Sequence, residues 1–214
     1  MLLMKLEPHM SGTILILIPA AAILFAGGVR LGWFALGGAA VGGLLALTMT
    51  GYQSTRILVW KDPWAYPKDG GYQIIQSLYA IGSGGLFGVG FGQSRQKQLF
   101  IPEPENDFIF SIVCEELGLI GAGLILLLFV MLIVRGYWIA LHARDRFGSL
   151  LAVGVTTLMA AQVFLNISVV TNFLPTTGIS LPFFSYGGTA LMIQLIEMGI
   201  VLAVSRQIPA PKQG

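Results

Sequence analysis

Two apolar stretches without a single charge, roughly 11–28 and 31–50, stand almost end to end with Arg30 in the turn between them. Crossing ~30 Å of hydrocarbon takes about 20 apolar residues of helix. Backbone in that environment must satisfy its own hydrogen bonds, which leaves helices or closed barrels. Three more apolar runs follow, at roughly 108–134, 148–172 and 187–205. All five are continuous rather than alternating, which argues against a barrel. Mean hydropathy is +0.80, and the 55% hydrophobic content exceeds the ~45–50% of soluble domains. The expected fold class is all-α: a polytopic transmembrane helical bundle forming one membrane domain over 1–214.

Basic residues of short loops stay in the cytoplasm. Arg30, the group Arg135, Arg144 and Arg146, and the C-terminal Arg206 and Lys212 all fall on one side of the five spans. The C-terminus is then cytoplasmic, and segments 51–107 and 173–186 are extracytoplasmic. This leaves the N-terminus outside with no span before it. Met1-Leu2-Leu3-Met4 looks like the end of an earlier apolar helix, so the chain is expected to be the C-terminal part of a longer protein. No cleavable signal peptide is recognisable before the first run. The one cysteine, Cys114, excludes an internal disulfide and reads as packing.

A loop as long as 51–107 carries structure or function. Its first part, Arg56 to Asp69, mixes Trp60, Trp64 and Tyr66 with charges, which suits the headgroup level. Ile74, Ile75, Leu78 and Ile81 recur at helical spacing, so 72–81 is expected to be a short interfacial helix. Gly82 to Gly92 matches no nucleotide-binding pattern, and no nucleic acid is expected as a partner. Two readings of it are open: a mobile turn, or a re-entrant segment whose glycines let backbone approach a ligand. Arg95 and Lys97 follow. They suit a pyrophosphate, or they neutralise headgroups and the acids beyond.

Those acids are Glu103, Glu105 and Asp107, three carboxylates within five positions at the mouth of the third span, stiffened by Pro102 and Pro104. Asn106 or Asp107 suits a helix N-cap. A carboxylate at an apolar mouth also suits a general base. Glu103 and Asp107 could together hold a divalent cation such as Mg or Mn. Glu115, Glu116 and Glu197 lie within spans, where an ionisable group either makes an interhelix hydrogen bond or faces a wet cavity. The second outer segment, 172–188, is rich in Pro, Gly and hydroxyls. It reads as a re-entrant loop lining a cavity opposite the acidic run.

Several motifs in this order are similar to one family. They are Gly71-Tyr72-Gln73-Ile74-Ile75-Gln76-Ser77-Leu78, the run Gly82 to Gly92, Gln96-Lys97, and Pro102-Glu103 with Asp107-Phe108-Ile109-Phe110. Glu115-Glu116-Leu117-Gly118 and Leu181-Pro182-Phe183-Phe184-Ser185-Tyr186-Gly187-Gly188 complete the set. The chain resembles the SEDS proteins (shape, elongation, division and sporulation) of the FtsW, RodA and SpoVE type from about Leu6 to Arg206, most closely the division and sporulation branch. One departure is Pro8-His9-Met10-Ser11-Gly12-Thr13, where family members often carry Pro-Asp-Leu-Gly-Thr.

The resemblance implies ten spans, of which these would be the last five. It implies an inverting peptidoglycan glycosyltransferase that polymerises lipid II at the outer face of the bacterial cytoplasmic membrane. Asp107 matches the family's catalytic aspartate. Arg95 and Lys97 would offset the leaving pyrophosphate, and Gln76, Ser77, Glu103, Glu116, Ser185 and Tyr186 would contact substrate. Implied partners are lipid II, undecaprenyl-pyrophosphate-linked glycan, a class B penicillin-binding protein and divisome or sporulation proteins. Two other classes compete: a lipid-linked precursor transporter working through Glu115, Glu116 and Glu197, and a scaffold for a transpeptidase. Five spans would expose faces meant for missing ones, so the chain by itself is expected to be inactive.

Overall fold

In a computed structural model the described residues are 10–48, 51–68, 70–96 and 106–208. They form helices and turns, with no strand among them. Helices stand at all five apolar runs. α1 (Met10–Ala26) and α2 (Leu31–Thr48) carry no charge. α5 (Ile109–His142), α6 (Arg146–Val170) and α7 (Gly188–Ser205) are long and apolar enough to cross a membrane. Leu127, Leu128, Met131, Met192 and Leu195 on α5 and α7 are exposed. Apolar side chains in such numbers are at ease only against lipid or protein.

The third run extends further than its charges suggest. The apolar run stops near 134, before Arg135, yet α5 continues to His142. The Arg135 guanidinium lies 4.2 Å from the Trp138 ring centroid, and Trp138 stacks on His142 at 4.3 Å. A long basic side chain lays its stem along an apolar face and keeps its charge outside, so it need not end a helix. Asp145 then starts α6, its Oδ2 accepting the Gly148 N–H at 3.0 Å.

The loop before α5 is largely helical. α3 (Gly51–Lys61) leads into a 3-10 turn at Pro63–Ala65. Asp62 caps that turn, its Oδ1 accepting from the Trp64 and Ala65 N–H groups at 3.2 Å each. The helix expected over 72–81 is α4 (Gly71–Gly84). It buries Ile74, Ile75 and Ala80 and exposes Tyr72 and Tyr79, the one-sided pattern its spacing implies.

The chain divides into two compact units. One comprises the residues up to 37, 129–161 and those from 187. Its core is Ile139, Ala140, Ala152, Val201 and Val204. The other comprises 38–128 and 162–186. It buries Ile74, Ile75, Phe108, Phe110, Val170, Ile179 and Leu181, among others. Of the described candidate residues, Gln76, Ser77, Arg95, Asp107, Glu115, Glu116, Ser185 and Tyr186 belong to this second unit, and Glu197 belongs to the first.

Within it, α5 is broken at Gly118 (φ 68, ψ −173). The glycine-rich segment fills the break. The Glu115 and Glu116 carbonyls would bond Leu119 and Ile120 in an intact helix. Here they accept from the Val89 and Gly90 N–H groups at 2.9 and 3.1 Å. The N–H groups of Leu119 and Ile120 instead donate to the Gly85 and Leu86 carbonyls, at 2.9 and 3.2 Å. Four helical groups have exchanged partners with a loop, so each of the four stays hydrogen-bonded. A Cβ at Gly88 or Gly118 would run into the facing backbone. The glycines do permit close approach, but what approaches at Gly88 is α5 itself.

Candidate active site

Asp107 stands half-buried in the turn before α5. Two side chains from distant segments hold the backbone on which it sits. The Asn166 amide on α6 donates to the Asp107 carbonyl at 2.8 Å. The Ser185 hydroxyl donates to the Asn106 carbonyl at 2.7 Å and accepts from the Leu181 N–H at 2.8 Å. The Asp107 carboxylate meets the second outer segment at Gly178, where a Cβ would lie 3.4 Å from Oδ2. Gly178 has φ +71, a conformation open to glycine at little cost. The 172–188 segment therefore does face Asn106 and Asp107.

A second set of contacts fixes the approach to this turn. Glu115 is 1% exposed. It accepts from the Ser94 hydroxyl, the Arg95 N–H at 3.0 Å and the Gln96 N–H at 3.4 Å. Glu116 accepts from the Ser94 N–H at 3.4 Å. Two buried carboxylates thus gather four donors from three consecutive residues, which satisfies both sides. The Arg95 side chain is exposed while its backbone is anchored.

The remaining candidates separate. Ser77 is fully buried and donates to the Val170 carbonyl at 2.9 Å, closing the C-terminal end of α6. Ser185 spends its donor and an acceptor site on the backbone of Asn106 and Leu181. Ser77, Ser185 and Glu116, for which the resemblance implies substrate contact, each also make a hydrogen bond within the protein. Gln76 is half-buried on α4, and Tyr186 is exposed. Lys97, Glu103 and Glu105 lie outside the described residues, as do 1–9 and Lys212. The cation pair Glu103 and Asp107 is therefore described only at Asp107. Among the described residues no three His, Cys, Asp or Glu side chains are placed to share a metal ion.

Four residues outside the set of candidate site residues knit this unit. Arg56 on α3 donates to the Thr176 carbonyl at 3.0 Å. Trp60 donates its ring N–H to the Asn172 carbonyl at 3.1 Å, and the Asn172 amide returns a bond to the Trp60 carbonyl at 3.4 Å. Asn166 is the fourth. A carboxamide inside an apolar run was the one legible signal among them.

The Cell cycle protein family of FtsW, RodA and SpoVE matches residues 1–209. Stage V sporulation protein E of Bacillus subtilis is 47% identical over 207 residues, covering 96% of this chain and 57% of that protein. The probable peptidoglycan glycosyltransferase FtsW of Geobacter sulfurreducens is 44% identical over 210 residues, covering 97% and 56%. The chain thus spans somewhat over half the length of these relatives. Among solved structures, a chain of a peptidoglycan synthase complex that coordinates polymerization and crosslinking is 31% identical with a TM-score of 0.73, covering 96% of this chain and 58% of that one. A mutant of the rod shape-determining protein RodA from Thermus thermophilus is 28% identical with a TM-score of 0.62, covering 96% and 53%.

Proposed function

The chain belongs to the FtsW, RodA and SpoVE family of cell cycle proteins, the SEDS family, and we propose that the protein polymerises lipid II into glycan strands. The reaction takes place at the outer face of the bacterial cytoplasmic membrane, in division or sporulation, with the C-terminus in the cytoplasm. Asp107 is the general base. It takes the proton from the 4-hydroxyl of the acceptor's terminal N-acetylglucosamine. That oxygen forms a bond to the anomeric carbon of the donor chain. The bond from that carbon to undecaprenyl pyrophosphate breaks, and the configuration inverts. One base and a stabilised leaving group suffice, because no covalent sugar intermediate forms. Arg95 and Lys97 offset the negative charge of the leaving pyrophosphate. A class B penicillin-binding protein and the division or sporulation machinery are the partners.

The observation that carries this reading is the setting of Asp107, a carboxylate against Gly178 on a backbone held by Asn166 and Ser185. A base acts within hydrogen-bond reach of its proton, so its carrier must not drift. The transporter reading is weakened by Glu115 and Glu116. Both are buried and accept hydrogen bonds from residues 94–96. Lipid II given to the intact protein with its partner separates the two. Glycan polymer supports the reading. Lipid II that crosses vesicle bilayers without forming polymer refutes it.

A further inference from the structure

We propose that Asn166 is a positioning residue for Asp107, an inference that rests on Asp107 being the base. Asn166 is 1% exposed and sits four residues before Val170, the last of α6. Its Nδ2 donates to the Asp107 carbonyl and to the Ile179 carbonyl, each at 2.8 Å. A carboxamide nitrogen has two hydrogens in one plane and no charge. Both are spent here, one on the residue that bears the carboxylate and one on the neighbour of Gly178, against which that carboxylate lies. The amide therefore ties together the two backbone segments whose separation sets where the carboxylate stands.

The direction of the amide is determined. Its Oδ1 is buried and accepts no hydrogen bond from the protein, so only the donated pair orients it. Turned over, Oδ1 would face two carbonyl oxygens and both bonds would be lost. Asn166 makes no bond to the Asp107 carboxylate in this arrangement and acts through the backbone. A misplacement of about 1 Å in reacting groups costs up to ~100-fold in rate. Removing the tie therefore lowers kcat and leaves substrate affinity largely alone.

The test uses the intact protein with its partner and lipid II as substrate. Asn166→Ala is expected to lower kcat about 10- to 100-fold with KM within about threefold. Asn166→Asp keeps the size but loses both donors when ionised. Protonated, it regains one, so its rate relative to the parent rises as pH falls from about 8 to about 6. Parental kcat in both variants, or a raised KM at parental kcat, overturns the proposal. If the parental protein makes no polymer, the functional reading falls instead, and hydrogen exchange decides this one. Asn166→Ala then speeds amide exchange in 106–112 and 179–186 about tenfold while the middle of α6 stays protected. Parental exchange in those segments overturns it.

Discussion

At the scale of single residues, the site depends on backbone carbonyls more than on side-chain pairs. The Asn106, Asp107 and Ile179 carbonyls each accept a side-chain donor. Gly178 is the position here whose backbone conformation favours glycine. At φ +71 an alanine is strained, by roughly 1–2 kcal/mol. Its methyl would also sit against the Asp107 carboxylate. Gly178→Ala is therefore expected to lower the midpoint of thermal unfolding and to reduce polymerisation more than that loss explains. Unchanged turnover at parental stability would show that the carboxylate does not need this surface. Little of this was legible beforehand. Asn166 lies 59 positions from Asp107, and Ser185 lies 79 from Asn106. Their tasks exist only after folding. Nothing in the sequence around Ser185 announces its bond to the Asn106 carbonyl.

At the scale of elements, the break in α5 organises the unit. A continuous helix would leave the glycine-rich segment with nothing to pair with. The exchange of bonds at Gly118 turns a loop into a fixed part of α5 and delivers Ser94, Arg95 and Gln96 to the buried Glu115 and Glu116. Gly118→Ala meets both an unfavourable φ and the facing backbone of Leu86 and Gly88. The expected cost is about 2–4 kcal/mol. It is read as a lower melting temperature in detergent and faster proteolysis around residues 85–96. A variant as stable and as resistant as the parent would contradict the interlock. The glycines 82–92 announced close backbone approach, but periodicity cannot say what approaches. α4 was legible because Ile74, Ile75 and Ile81 mark one face. α3 was not, because its apolar residues Ile57, Leu58, Val59 and Trp60 are contiguous and show no face.

At the scale of the whole molecule, five charge-poor runs dictate helices, and helices stand at each of them. Length and apolarity suffice for that step, since lipid leaves few alternatives. Orientation comes from arginines and is tested separately. In a background with buried Cys114 replaced by serine, Arg95→Cys should react with a membrane-impermeant maleimide in intact cells. Arg144→Cys should react only after the membrane is opened, and the reverse pattern would invert the topology. The chemistry proposed for Asp107 is the removal of one proton from the acceptor hydroxyl. It is tested by the rate of lipid II polymerisation by the intact protein and its partner, with Asp107→Asn against the parent. The substitution keeps the shape and the backbone bonds to Asn166 and Ser185 but removes the base. A general base contributes about 10²–10⁴-fold. A loss in that range is expected, with complex formation intact. Parental polymerisation by Asp107→Asn would contradict it.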